Sequence, residues 1–313
     1  MTEIILLPLA QRIRALYTLI RVVPVLTWGI SSSLVGLGLA YNLNNRINWL
    51  DYSLIVLLIV LIHGVASHAF NDREDWLSGT DQLSPGILSG GSGVVIRGLY
   101  SIDKLSWIGR TTLFLVFIIA GYFVWRVGSP VLIFPLIGIG SAVAYSCPPL
   151  RLSYHPLIGE WLCAFPAVSA CGVGTFYVLT TTLQPTILVA GGINALLAMG
   201  LLMHHHISDV RSDLQANPSK LTTVALVGNT LGMKKTPLVA MAYFLLALLL
   251  GMTGGWFFHT IFWITVPAAL GCIIATLTTT PENIKSITNR EYFIYWLIIG
   301  DAVIKTWLLF YLS

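Results

Sequence analysis

Charge is what this chain has least of. Of its 313 residues only 10% are Asp, Glu, Lys or Arg, and only thirteen are acidic. Soluble domains carry about 25% charged residues, so a water-exposed globule of this size is excluded. Cysteine is sparse as well: Cys147, Cys163, Cys171 and Cys272 are dispersed, mostly in or beside apolar runs, with no metal-ligand spacing. That excludes a disulfide framework and a thiolate zinc site, and suits packing residues in a reducing compartment. No linker and no low-complexity segment interrupts the chain, so residues 1–313 read as one domain. The net charge of +4 is small and gives no reason to expect nucleic acid as a partner.

Hydrophobic sequence fills the space that charge leaves, at 56% of the residues. A bilayer-spanning helix needs about 20 mostly apolar residues. Such runs fall at 22–43, 49–70, 105–125, 130–146, 158–180, 186–206, 236–255, 257–279 and 292–312. They predict an all-α polytopic membrane protein, a nine-transmembrane-helix bundle in the lipid bilayer with a central cavity facing the cytoplasm. The first run is too long for a signal peptide and lacks a small-residue cleavage site, so it reads as a retained helix. Nine spans put the N-terminus and the loops after spans 2, 4, 6 and 8 on one face. Fourteen of the seventeen Lys and Arg residues lie on or near that face, against Arg46, Arg126 and Lys305 opposite. The positive-inside rule makes it cytoplasmic, and the expected location is the cytoplasmic membrane.

The few acids are not scattered. NDREDWLSGTD occupies 71–81 and DVRSD occupies 209–213, in the expected loops after spans 2 and 6. On a helix Asp72 and Asp75 stand i,i+3 and Asp209 and Asp213 stand i,i+4, so each pair projects from one face. Two such pairs facing each other form a cage of hard oxygens, which suits Mg²⁺ holding a diphosphate rather than zinc or copper. Either cluster alone reads equally well as solvated loop acids; two at matching positions do not. Each follows a span with histidine near its cytoplasmic end, a weak echo of two related helical halves.

The remaining polar residues leave alternatives open. His204, His205 and His206 point about 100° apart on a helix and do not all converge on one ion; one is expected to line the cavity while the others pack or cap. His63 and His68 share one side of the second span, where a polar residue faces the bundle interior. His68 or His206 is a candidate acceptor-activating base, beside the plainer reading of a hydrogen bond inside the bundle. Glu160 is expected to face the cavity or pair with Arg110 or Arg151. Residues 221–235, LTTVALVGNTLGMKK, read as a short cap helix over the site or as the start of span seven.

The order of these motifs resembles the UbiA superfamily of intramembrane prenyltransferases: ND-x-x-D-x-x-x-G-x-D after the second span, YSCPPLRLSYHPLIGE after the fourth, and D-x-x-x-D followed by SKLTT after the sixth. Gly79-Thr80-Asp81 and the glycine-rich SPGILSGGSGVVIRGLYS are most similar to the branch that prenylates 1,4-dihydroxy-2-naphthoate. The resemblance covers nearly the whole chain. It implies a Mg²⁺-dependent enzyme that ionises an isoprenyl diphosphate and passes the prenyl group to a small aromatic acceptor. Asp72, Asp75, Asp209 and Asp213 would be the catalytic metal ligands, with Asn71 a neutral ligand or an orienting group. Asp81 would support the loop or a metal-bound water. Arg151, Lys220, Arg97 and Arg211 would contact diphosphate oxygens, and Tyr145 and Tyr154 would hydrogen-bond the diphosphate or flank the cation.

The chain also departs from the pattern. Many members carry asparagine where this sequence has His68 and His205-His206, and the Tyr-x-x-x-Lys arrangement of some members is absent because Pro149 stands four residues after Tyr145. Acceptor identity therefore stays open, and a UbiA-type terpene cyclase, which needs no acceptor, is the alternative enzyme. An ion-coupled transporter is the non-enzyme alternative, since intramembrane acids in repeated halves also mark carriers. Transporter acids sit near the bilayer midplane, so the depth of these acids separates the two.

Overall fold

The structure is a computed structural model describing residues 9–311. Helices joined by loops make up those residues, with no strand among them. The first helix, α1 (Leu9–Ile20), buries Ala15 and Leu19 and leaves its other face exposed. Six spans follow: α2 (Val22–Asn44), α3 (Trp49–Ser78), α4 (Ile102–Val127), α5 (Ser129–Ser146), α6 (Glu160–Thr180) and α7 (Pro185–His205). Two short helices, α8 (Val210–Gln215) and α9 (Thr223–Leu231), precede three more spans. These are α10 (Met233–Phe257), α11 (Thr260–Leu277) and α12 (Ile284–Tyr311). Among the described residues nine helices are long and apolar enough to cross a membrane, matching the nine expected runs, and the chain is an integral membrane protein.

Local chemistry sets the boundaries. Asn48 caps α3 by accepting from the Leu50 and Asp51 amides at 3.1 and 3.3 Å, Ser101 caps α4, and Thr222 caps α9. No breaker stands between 70 and 78, so the second span does not end at 70 as expected. It runs on to Ser78 and stops at Gly79, whose φ of 90° is the left-handed geometry of a helix C-cap. Asn71, Asp72 and Asp75 consequently ride on α3 and not in a loop. The last span likewise begins earlier, at Ile284, which brings Glu291 into the bundle; residue 312 of the expected run lies outside the described residues. Residues 223–231 form a helix of their own before α10, as the cap-helix reading has it.

The bundle packs with its polar side chains inward. The central helix is α7, which packs against α2, α6, α10 and α12. Gly36 on α2 and Gly172 on α6 let two backbones meet, because a Cβ at Gly36 would lie 2.3 Å from the Gly172 carbonyl oxygen. Such small-residue contacts replace the hydrophobic drive that lipid does not supply. Ser32 donates to the Val168 carbonyl at 2.8 Å and Ser33 pairs with Thr175 at 2.9 Å across the same interface. Trp107, Trp125, Trp256, Trp296 and Trp307 face outward, as a lipid-facing surface requires.

Three spans contain a wide π turn: Leu26–Ile30 in α2, Val60–Ala66 in α3 and Glu160–Ala164 in α6. Each contributes lining to one central cavity, through Trp28, His63, and Cys163 with Ala164. Such turns are frequent at functional sites.

Candidate active site

The central cavity, of about 130 Å³, is polar at the end where α3 and α7 finish and apolar deeper in. Its polar end is lined by Asn71, Asp75, Asp81, Asp209 and Lys220, and its walls include Arg21, His63, His68, Tyr145, His205, His206 and Tyr295. Asp75 accepts hydrogen bonds from Asn71 at 2.9 Å, from Lys220 at 2.6 Å and from the Tyr154 hydroxyl at 3.2 Å. Asp72, one turn back on α3, is turned toward the glycine-rich loop, where the amide and hydroxyl of Ser92 donate to it.

That loop joins the two acidic motifs. Ser84 and Ser89 both donate to the same oxygen of Asp209, at 2.5 and 2.7 Å, while Ser92 holds Asp72. Between them Gly91 adopts φ +71°, and a Cβ there would lie 2.2 Å from Asp81 Oδ2 and 3.1 Å from Asp72 Oδ1. Asp81 is therefore inside the acid cluster. Burial, with Asp75 and Asp72 beside it, pushes its carboxyl well above the usual range.

The second motif lies on the turn into α8. Asp209 precedes α8 and Asp213 sits within it, their backbones joined by an Asp213 amide to Asp209 carbonyl bond of 2.8 Å. Asp213 is fully buried and neither carboxylate oxygen has a hydrogen-bond partner. Burial raises both Asp213 and Asp209 above the ordinary carboxylate range. Burial works against the charge on Lys220, but Asp75 and Asp213 outweigh it and hold the ammonium firmly protonated. His206 is driven the other way, well below its ordinary value, by burial and by Lys220; its ring nitrogens have no hydrogen-bond partner.

The acidic donor set is hard oxygen throughout, and both buried oxygens of Asp213 are without a hydrogen bond. Among the described residues no three His, Cys, Asp or Glu side chains converge on one metal position. The chain's own ligands thus suit a hard cation that takes the rest of its shell from water and a bound phosphate, the habit of Mg²⁺.

Not every expected residue reaches the cavity. Arg97 and Arg211 are exposed and outside its lining. Arg151 pairs with Glu74 at 3.0 Å, and Glu74 also pairs with Arg73. Its guanidinium carbon lies 5.6 Å from the Tyr154 ring. Tyr154, pushed up to about 12 mainly by burial, backs Asp75 from behind. Glu160 pairs with neither Arg110 nor Arg151; Thr223 of α9 donates to it at 2.7 Å and its second oxygen is buried without a partner. His204 bonds Thr279 at 2.9 Å, and His68 holds the Leu19 and Gly64 carbonyls through Nδ1 at 3.1 and 3.0 Å.

The structure also adds residues that sequence reasoning missed. The serines of the glycine-rich loop carried a signal, their interleaving with glycine beside an acidic motif. Arg21 carried none: it breaks α1 from α2 at φ 50°, donates to the Leu88 carbonyl and stands 3.2 Å from His205 Nε2. Glu291, 2.6 Å from His205 Nδ1, was hidden because it is distant in sequence.

Fold and site together define an integral membrane protein whose spans enclose a carboxylate-rich chamber with an apolar interior. The model of the UbiA prenyltransferase family matches residues 30–298, and the chain belongs to that family. Among solved structures it is similar to a UbiA homolog from Archaeoglobus fulgidus bound to GPP and Mg²⁺, with a TM-score of 0.66 at 15% identity over 93% of this chain and 99% of that one. The same homolog bound to DMAPP and Mg²⁺ gives 0.64 at 15% identity, covering 94% and 99%. A digeranylgeranylglyceryl phosphate synthase gives 0.61 at 14% identity, covering 94% and 98%. No curated protein sequence matches the chain.

Proposed function

We propose that this protein is a Mg²⁺-dependent prenyltransferase that ionises an isoprenyl diphosphate and transfers the prenyl group to an aromatic acceptor of the dihydroxynaphthoate type. The observation that carries this reading is the pairing of two acidic motifs, stitched by one serine-glycine loop, at the mouth of an apolar chamber. A polyanionic head bound at the acids leaves its hydrocarbon tail inside. A second cavity of about 60 Å³, almost wholly apolar, shares His63, Gly138 and Ala167 with the first and extends the space available to a tail. The similar Archaeoglobus homolog binding GPP with Mg²⁺ supports the assignment. Asp72 and Asp75 lie in the last two turns of α3, and Asp209 and Asp213 lie beyond α7. That depth favours diphosphate chemistry over a midplane carrier site.

Asp72, Asp75, Asp209 and Asp213 would hold Mg²⁺, with water and diphosphate completing its shell, and Asn71 and Asp81 would support them. When bound there, Mg²⁺ would supply charge neutralisation to the leaving diphosphate. Lys220 sits between the motifs as a fixed cation already desolvated, able to donate to diphosphate oxygen without reorganising water. Tyr145 and Trp28 line the chamber, and aromatic rings there suit an allylic cation. The basic residues clustered near this end of the bundle support a cytoplasm-facing mouth in the cytoplasmic membrane.

The test is to incubate detergent-purified protein with Mg²⁺ and geranyl, farnesyl or geranylgeranyl diphosphate, with and without 1,4-dihydroxy-2-naphthoate, and identify products by mass spectrometry. Prenylated aromatic formed only with acceptor is expected. A hydrocarbon or cyclic alcohol made from the diphosphate alone would show a terpene cyclase instead.

A further inference from the structure

One side of the chamber carries a constellation that diphosphate chemistry does not use. His205, the last residue of α7, places Nδ1 2.6 Å from Glu291 Oε1, and the Tyr295 hydroxyl donates to the same oxygen at 3.0 Å. Glu291 is buried behind the wall, whereas His205 and Tyr295 line the chamber itself. A carboxylate on Nδ1 fixes the neutral imidazole as the Nδ1–H tautomer and leaves the Nε2 lone pair as an acceptor. Nε2 stands 3.2 Å from the guanidinium of Arg21, which also lines the chamber. Arg21 is held at φ 50° and ψ 65°, a conformation that costs a non-glycine residue energy and persists where the surroundings demand it.

The other chamber histidines are differently employed. His68 is tied to two backbone carbonyls through Nδ1, and His206 makes no hydrogen bond, its Nδ1 standing 3.9 Å from Asp213 Oδ2. His205 combines a carboxylate hydrogen-bonded behind it with a chamber-facing nitrogen, the arrangement that gives an imidazole a set orientation. It is also four residues before Asp209, which lines the same chamber, so a proton acceptor and the diphosphate end lie on one stretch of chain.

Resting on the prenyltransferase reading above, we propose that His205, oriented by Glu291, is the base that takes the hydroxyl proton of a phenolic acceptor whose oxygen is oriented by the Arg21 guanidinium. The new carbon–carbon bond forms between an acceptor ring carbon and the allylic carbon, while the allylic C–O bond breaks and its electron pair leaves with diphosphate. His205 Nε2 takes the O–H proton as the ring attacks, giving a neutral ring ketone. When the substituted carbon loses its own proton to the released diphosphate, the ring regains aromaticity and His205 returns its proton to the oxygen. The acceptor class this selects is a hydroxylated aromatic; a ring without a free hydroxyl offers His205 nothing to accept.

The test compares 1,4-dihydroxy-2-naphthoate with its bis-methyl ether, using geranyl diphosphate and Mg²⁺, in the wild type, His205→Gln and Glu291→Gln, each checked for folding by gel filtration and thermal melting. The wild type is expected to prenylate the free phenol ~10²-fold faster than the ether, the size of a general-base contribution. Both variants should fall by a similar factor in kcat with the phenol and lose the preference over the ether, while the KM for geranyl diphosphate stays within about 3-fold. A wild type that uses the ether as readily as the phenol overturns the proposal without any variant. A folded His205→Gln that keeps the wild-type kcat overturns it as well. If the wild type consumes geranyl diphosphate but prenylates neither aromatic, the aromatic-acceptor reading falls and this proposal with it.

Discussion

Gly91 offers the sharpest perturbation of the acid cluster, because one added methyl group meets two carboxylates. In Gly91→Ala the new Cβ would lie 2.2 Å from Asp81 Oδ2 and 3.1 Å from Asp72 Oδ1, so the Asp81 carboxylate must move by about 1 Å to reach van der Waals separation. A displacement of that size at a reacting site costs on the order of 10²-fold in rate. The backbone adds its own penalty, since φ at Gly91 is +71° and an L-residue there costs about 1–2 kcal/mol. Gly98 in the same loop separates the two effects: its φ is +64°, yet a Cβ there meets nothing within 4 Å. Gly98→Ala should therefore lose about the same 1–2 kcal/mol of stability and keep its activity. The assay is Mg²⁺-dependent prenyl transfer from geranyl diphosphate, alongside thermal melting in detergent. Equal activities for the two variants would show that convergence of Asp81 and Asp72 is not what the loop provides.

Further outcomes follow from the same cluster. Asp213→Asn should abolish turnover yet raise the melting temperature of metal-free protein, because it removes a buried carboxylate whose oxygens have no hydrogen-bond partner; a loss of both would assign the residue to folding. The stability difference should also depend on pH: burial raises Asp213 above its ordinary 3.8 in the folded state, so above that value the folded chain binds more protons than the unfolded one, and wild-type stability falls as pH rises. The advantage of Asp213→Asn over wild type is thus expected to grow between pH 4 and its raised folded value, and an advantage that shrinks would refute the assignment. Lys220→Met strands Asp75 in the interior and should cost about 3–5 kcal/mol, whereas Lys220→Met combined with Asp75→Asn should recover stability without activity. A double variant no more stable than the single would show that the ion pair is not the source of the loss.

The parts of this molecule legible in sequence were those with a local signature. Apolar runs of span length gave the nine helices, and the spacing of Asp72 with Asp75 and of Asp209 with Asp213 marked the acids. Boundaries failed where a polar stretch kept a helical backbone, as in α3 beyond residue 70, because hydropathy reports lipid contact and not helix length. The cations failed for another reason. Arg97 and Arg211 sit beside the motifs in sequence but face outward, while Arg21 reaches the chamber from a helix break about 50 residues before the first acidic motif. Glu291 stays invisible until α12 packs beside α7, since no periodicity links position 291 to position 205.

The π turns of α2, α3 and α6 make the site sensitive to counting. Each holds an extra residue within a turn, so letting the seven residues of Val60–Ala66 wind as regular α-helix would rotate everything beyond them by about 100°. Asp72 and Asp75 would swing away from Ser92 and Lys220 although no functional side chain had changed and the span remained long enough to cross the bilayer. The wide turn thereby takes up one residue without loss of aim, so a single deletion within Val60–Ala66 should leave Asp72 and Asp75 close to register, whereas a single deletion in the regular helix between Ser67 and Asn71 should swing them away by about 100°.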